Sequence, residues 1–216
     1  MSRVYLIAGL GADTRVYNNI DLQDHEVIPV NWIEPDSQDT LITYSQRLIY
    51  QYDIKPNSIL IGNSLGGIIS VEIAKFMPIE KVILISSIKT SDEAPGYFKF
   101  FRNFPVQKII PGKLFTSMGG LVKPMFGHMS EEDAWLFNDM LKHTSPVFAK
   151  WAMGAILYWK NDVIPPNVHH IIGDKDLVFD YKKIKNATII KGGTHIMIFD
   201  KAKEINKLLK QILGKK

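Results

Sequence analysis

The feature that most limits what this chain can fold into is a series of short apolar runs rich in β-branched residues, separated by stretches with helical spacing. The runs are Val4–Ala8, Ser58–Ile61, Lys81–Ile85, Val168–Ile172 and Ala187–Ile190, with a weaker one at Glu26–Val30. They do not alternate between apolar and polar residues, so they are expected to be strands buried on both faces. Such strands, separated by helices, are the signature of a mostly parallel sheet with helices packed on each side. Between them, Thr40–Tyr52 repeats Leu41, Tyr44, Leu48 and Tyr52 on one side of a helix. Leu65–Met77 is helical up to Pro78, and the lysine-rich tail 201–216 carries Ile205, Leu208, Leu209 and Ile212 on one face. The expected class is α/β: a three-layer α/β/α sandwich with six strands.

The pattern breaks at 89–165. This stretch is rich in aromatic residues and methionine, and prolines at 95, 105, 111, 124 and 146 cut it into pieces. Ser130 followed by Glu131, Glu132 and Asp133 reads as a capped helix start with acids at its positive end. The reading is one domain over 1–216, with 89–165 a helical insertion between the fourth and fifth strands. A chain of 216 residues is long enough for one well-buried domain. Most aromatics in the insertion are expected to form the core of short helices, and some to face the site.

Composition removes several alternatives. The chain has no cysteine, which excludes disulfides, a thiol nucleophile and cysteine-ligated metals. The net charge of +4 is mild, and the lysine tail reads as the solvated face of a docked helix rather than a nucleic-acid site. No run approaches the ~20 apolar residues that span a bilayer, and Val4–Ala8 is too short for a signal-peptide core. The expectation is therefore a cytoplasmic protein without membrane or nucleic-acid partners. His169 and His170 are adjacent in a strand, so they point to opposite faces and cannot share a metal. His25, His128 and His143 lack ligand-like neighbours, and no metal site is expected. Trp32, Glu34 and Pro35 follow the second strand, where they rim a pocket or simply form a loop.

One motif carries chemistry. In Ile59-Leu60-Ile61-Gly62-Asn63-Ser64-Leu65-Gly66-Gly67, a G-x-S-x-G pattern sits directly after a strand and directly before a helix. A chain turning that sharply puts Ser64 in strained backbone and leaves no room for side chains at 62 and 66. The serine hydroxyl is then lifted clear of the sheet at the positive end of a helix. A hydroxyl needs a base, and His195, in the Gly-rich loop after the last strand, is the candidate. The base in turn needs an orienting carboxylate. Ile172-Gly173-Asp174-Lys175-Asp176 follows the fifth strand and offers Asp176, then Asp174, with Asp180 more remote.

The order Ser, Asp, His, each just beyond a strand end, resembles the α/β-hydrolase superfamily, and more closely its small, cap-bearing esterase-like members. The resemblance runs from Val4 to about Phe199. It implies a Ser64–Asp176–His195 triad, an elbow of Gly62, Asn63 and Gly66, and a cap formed by the insertion. It also implies an oxyanion hole made by the backbone N–H groups of Leu10 and Leu65. Many relatives carry His-Gly where this chain has Ala8-Gly9, a difference at a residue that supports the oxyanion loop. The expected activity is hydrolysis of a carboxylic ester or thioester of a small, apolar substrate, without a cofactor. The alternatives are carbon–carbon bond hydrolysis or a lyase step on the same triad, and a ligand-binding or signalling module that kept the fold. The expected partner is a small-molecule substrate, and a homodimer is the assembly allowed for.

Overall fold

The structure is a computed structural model that describes residues 2–22, 24–104 and 129–214. Six parallel strands form one sheet in the order β2-β1-β3-β4-β5-β6. They are β1 (Arg3–Ile7), β2 (Glu26–Val30), β3 (Ile59–Asn63), β4 (Lys81–Ile85), β5 (Val168–Gly173) and β6 (Ala187–Ile190). The helices that concern the site are α1 (Leu41–Gln51), α2 (Leu65–Ile73), α3 (Tyr97–Asn103), α4 (Glu131–His143), α5 (Pro146–Tyr158), α6 (Met197–Asp200) and α7 (Ala202–Leu213).

The apolar runs divide between two cores with a period of two, as strand geometry requires. Tyr5, Ile7, Leu60, Val82, Leu84 and Ile172 pack on one face against Leu41, Tyr44 and Leu48 of α1 and Ile68 and Ile69 of α2. Val4, Leu6, Ile59, Ile61, Ile83, Ile85 and Ile171 pack on the other against Met197, Ile198, Ile205 and Leu209. Burial of one such side chain contributes roughly 1.5–3 kcal/mol. That gain, repeated along both faces, falls to β1, β3, β4 and β5. β2 and β6 are the edges of the sheet, where Val27 and Ile189 stay exposed, so the Ala187–Ile190 run is not buried on both faces, contrary to expectation. In α7, Ile205 and Leu209 are buried, with Leu208 and Ile212 packed beside them.

Boundaries differ from the sequence reading where backbone bonding decides them. β3 runs through Gly62 and Asn63 to the residue before Ser64, because Gly62 pairs with Ile7 and Asn63 with Ile85. The regular part of α2 stops at Ile73 rather than Met77. Lys75 and Phe76 instead donate to Glu72 and Ile73, three residues back, a tightening common at helix ends.

Helices α3, α4 and α5 lie between β4 and β5. Ser130 caps α4 by accepting from the Asp133 N–H at 3.0 Å. Ser145 caps α5, which has Pro146 in its first turn. The two ends of the segment are fastened at its base. Ser91 N–H and Oγ both donate to the Asn161 carbonyl at 2.8 Å, and the Asn161 N–H donates back to Ser91 Oγ. The aromatics divide: Phe98, Phe137, Phe148 and Trp159 are buried, while Phe100, Phe104 and Trp135 are exposed. The insertion's aromatics are therefore less uniformly core than expected. Pro105, Pro111, Phe115, Pro124, Phe126 and His128 lie outside the described residues.

Candidate active site

Ser64 stands between β3 and α2 with φ +51° and ψ −117°, a conformation that L-residues seldom adopt. The turn is held open to it by close backbone approach. A Cβ on Gly66 would lie 2.0 Å from the Ile7 carbonyl oxygen, and one on Gly62 would lie 2.3 Å from that of Gly66. Any side chain there would push α2 off the sheet. Ser64 itself is half-buried, so its hydroxyl remains reachable.

His195 is 131 residues further along, and its Nε2 lies 3.0 Å from Ser64 Oγ. Its Nδ1 lies 3.0 and 3.1 Å from the two carboxylate oxygens of Asp176. The loops after β5 and β6 come together through glycine. A Cβ on Gly173 would stand 2.0 Å from the Gly193 carbonyl oxygen, and Lys175 N–H donates to that same oxygen at 2.9 Å. Asp176 and His195 are both nearly enclosed, at 6% and 7% exposure. Phe179 closes one side of the imidazole edge-on, with ring centroids 5.4 Å apart.

Of the three candidate acids, only Asp176 meets the imidazole. Its Oδ1 also accepts from the Val178 and Phe179 N–H groups at 2.8 and 2.9 Å, which fixes the carboxylate plane. Asp174 turns away to accept from Gly192 N–H at 2.6 Å. Asp180 accepts from Lys182 N–H at 3.0 Å and caps a short 3-10 turn.

Leu65 is the first residue of α2, and an N–H at that position has no acceptor within its own helix. Leu10 lies in the loop after β1, beside Gly9, where a Cβ would be 3.2 Å from Ser64 Cβ. Trp32 ties this loop down. Its indole N–H donates to the Ala12 carbonyl at 3.0 Å and the Gly9 carbonyl at 3.3 Å, and its ring stacks on Phe148 at 4.8 Å. A support is therefore present despite Ala8-Gly9, supplied from the loop after β2 by a tryptophan that the sequence marked only as a pocket rim or a loop residue. It does line one: a cavity of about 370 Å³ bounded by Trp32, Glu34, Asp13, Met140, His143 and Phe148. Pro35 is not on its wall. Trp32, on its wall, bonds to Gly9, which packs beside Ser64, but the cavity itself includes none of Gly9, Ser64, Asp176 and His195. Reacting groups rather than concavity define a candidate site, and Ser64, His195 and Asp176 are the candidate groups that the structure brings together.

A second polar cluster lies behind the first. His170 is buried, and its Nε2 donates to the Ser87 carbonyl at 2.9 Å. Burial, reinforced by the nearby Lys89 ammonium, pushes the imidazole down to about 3. The unfolded chain therefore takes up this proton at higher pH than the native one. The His170 contribution is fully present above pH 6.5 and is lost progressively as pH falls toward 3. Urea unfolding is expected to lose about 1.4 kcal/mol of stability per pH unit from this group between pH 6 and 5. A His170→Gln variant should be flatter over that interval by the same amount; an equal slope in both proteins would refute the linkage.

Among the described residues, no group of three or more His, Asp or Glu side chains is placed to hold a metal ion. Nor is any helix among them long and apolar enough to cross a membrane.

No protein-family model and no curated protein matches the sequence. Solved structures do match the fold. A hydrolase from Oleispira antarctica superposes with TM-score 0.78 at 16% identity, covering 100% of this chain and 92% of the other. An esterase from Thermogutta terrifontis gives 0.75 at 15% identity, with coverage of 100% and 90%. A bromoperoxidase from Bacillus anthracis gives 0.73 at 19%, with coverage of 99% and 92%. The chain has the α/β-hydrolase fold. Because that fold is shared by proteins of different named activities, function has to be argued from the site.

Proposed function

We propose that the chain is a serine hydrolase that cleaves a carboxylic ester or thioester of a small, mostly apolar substrate. The observation that carries this reading is the continuous hydrogen-bonded line from Ser64 Oγ through His195 to Asp176. In this reading His195 Nε2 accepts the Ser64 proton as Oγ attacks the carbonyl carbon. Asp176 holds Nδ1–H and stabilises the imidazolium. The carbonyl oxygen becomes an oxyanion facing the N–H groups of Leu65 and Leu10; one such donor is typically worth about 10²–10³ in rate. Collapse expels the alcohol or thiol, which takes the proton from His195 and leaves an acyl-serine. Water, deprotonated by the same imidazole, then releases the acid and restores Ser64. The steps use only side chains, backbone amides and water.

Segment 89–165 serves as the cap in this reading. The cavity near the oxyanion loop sets Trp32, Met140 and Phe148 beside Asp13, Glu34 and His143, so the apolar character proposed for the substrate rests on the aromatic residues of the cap segment rather than on this cavity.

The test is labelling with a fluorophosphonate probe and mapping of the modified peptide, followed by a panel of esters, thioesters and β-diketones of graded chain length. A single adduct on Ser64 and turnover that rises with apolar acyl length are expected. Failure of the wild-type protein to take the label would overturn the serine mechanism. Turnover confined to β-diketones would move the reaction to carbon–carbon cleavage on the same groups, and turnover confined to strongly charged esters would remove the apolar substrate.

A further inference from the structure

The last residue of β4 and the turn that follows it hold Ser64 at both of its backbone groups. Ser64 N–H donates to the Ile85 carbonyl at 3.0 Å. Two residues on, Ser87 Oγ donates to the Ser64 carbonyl at 2.7 Å. Between them Ser86 is fully buried with φ +48°, a left-handed conformation that a serine takes only when its surroundings impose it. Its N–H is anchored to the Ile171 carbonyl at 3.0 Å. The turn is what aims Ser87 back beneath the elbow. Gly67 leaves the space, since a Cβ there would lie 2.3 Å from Ser87 Oγ.

Ser87 is itself braced. His170 Nε2–H donates to the Ser87 carbonyl at 2.9 Å. The Lys89 ammonium lies 3.4 Å from the other ring nitrogen, which fits a neutral imidazole that accepts there and donates at Nε2. Lys89 in turn is buried, ion-paired with Glu93 and bonded to the Lys185 carbonyl at 2.6 Å. Its own N–H donates to Glu93 at 2.9 Å.

The peptide between Ser64 and Leu65 is planar, so its C=O and N–H point in opposite directions and turn together. The Ser64 carbonyl also accepts from the Gly67 N–H at 3.0 Å and the Ile68 N–H at 3.4 Å. The Ser87 hydroxyl makes the shortest of these three bonds, and the one from a side chain, and together they set the direction of the Leu65 N–H. We propose that Ser87, braced by His170, is a positioning residue that aims the Leu65 N–H at the developing oxyanion. The proposal rests on Ser64 being the nucleophile. Ser87 touches no reacting atom; it acts through the peptide plane. The bond also polarises that peptide, which strengthens the N–H as a donor.

A donor used mainly in the transition state affects kcat rather than KM. Ser87→Ala is expected to lower kcat about fivefold to tenfold, the weight of one buried hydrogen bond, with KM within about twofold. Its rate of fluorophosphonate labelling should fall in parallel, and hydrogen exchange of the peptide spanning the elbow should accelerate. The control is Ser45→Ala: Ser45 is equally buried, and its Oγ has no hydrogen-bond partner among the described residues. This variant should match the wild type in all three measurements. All rates are read at a temperature where circular dichroism shows each protein folded. A Ser87→Ala protein with wild-type kcat and labelling rate would overturn the proposal while leaving the serine mechanism standing, as would a loss confined to KM. A wild-type protein that takes no label would overturn both.

Discussion

Ser64→Ala is expected to abolish fluorophosphonate labelling and to lower ester hydrolysis by about 10⁶-fold, the scale seen when a triad nucleophile is removed. The size follows from the site's construction. His195 Nε2 has Ser64 Oγ as its partner at 3.0 Å, and without that oxygen the base has no proton to take and the substrate no internal nucleophile. What remains is positioning by the oxyanion donors, which acts on water alone. The fold should survive, because alanine enters the same backbone and the glycines that shape the turn are unchanged. A thermal midpoint within a few degrees of the wild type is therefore expected, and it separates lost chemistry from lost structure. Hydrolysis or labelling that persists in the variant would remove Ser64 from the reaction.

Asp176→Asn has the second largest expected effect, a fall of about 10⁴ in kcat with KM little changed. Both Asp176 oxygens lie within 3.1 Å of His195 Nδ1, and the carboxylate is also gripped by the Val178 and Phe179 N–H groups. In the variant those two amides would keep the side-chain carbonyl oxygen in place and turn the new NH₂ group toward Nδ1. The imidazole would then be pushed into the tautomer that protonates Nε2, which can no longer accept from Ser64. Asp174→Asn is the paired control. Its carboxylate accepts from Gly192 N–H in the loop that carries His195, so its loss should cost stability and only a few-fold in rate. A larger loss of kcat at 174 than at 176 would reverse the assignment of the acid.

The sheet and the elbow were legible in the sequence because both are written in local terms. Continuous apolar runs such as Val4–Ile7 and Val82–Ile85 have no polar face to offer water, so they predict burial on both sides without any knowledge of their neighbours. The steric demand at Gly62 and Gly66 is likewise confined to one turn and its adjoining strand. The order of Ser64, Asp176 and His195 could be read because a parallel sheet delivers every strand's following loop to the same edge.

Contacts between residues far apart in the chain were not legible. Asp174 and Asp176 share one turn and one chemistry. The choice between them falls out of the packing of Gly173 on Gly193, which turns one carboxylate to the imidazole and the other to a backbone amide. Trp32 shows only bulk in the sequence. Its bonds to Gly9 and Ala12 arise because β2 lies next to β1 in the sheet. The Ser87–His170–Lys89 line, assembled from a strand end, a neighbouring strand and a buried ion pair, has no sequence pattern at all. Sequence by itself determined the periodicities and the tight turns, because those depend on each residue's shape and polarity along a short stretch of chain. Tertiary structure decided which polar groups face one another, because a hydrogen bond depends on tenths of an ångström between segments that only the packed sheet brings together.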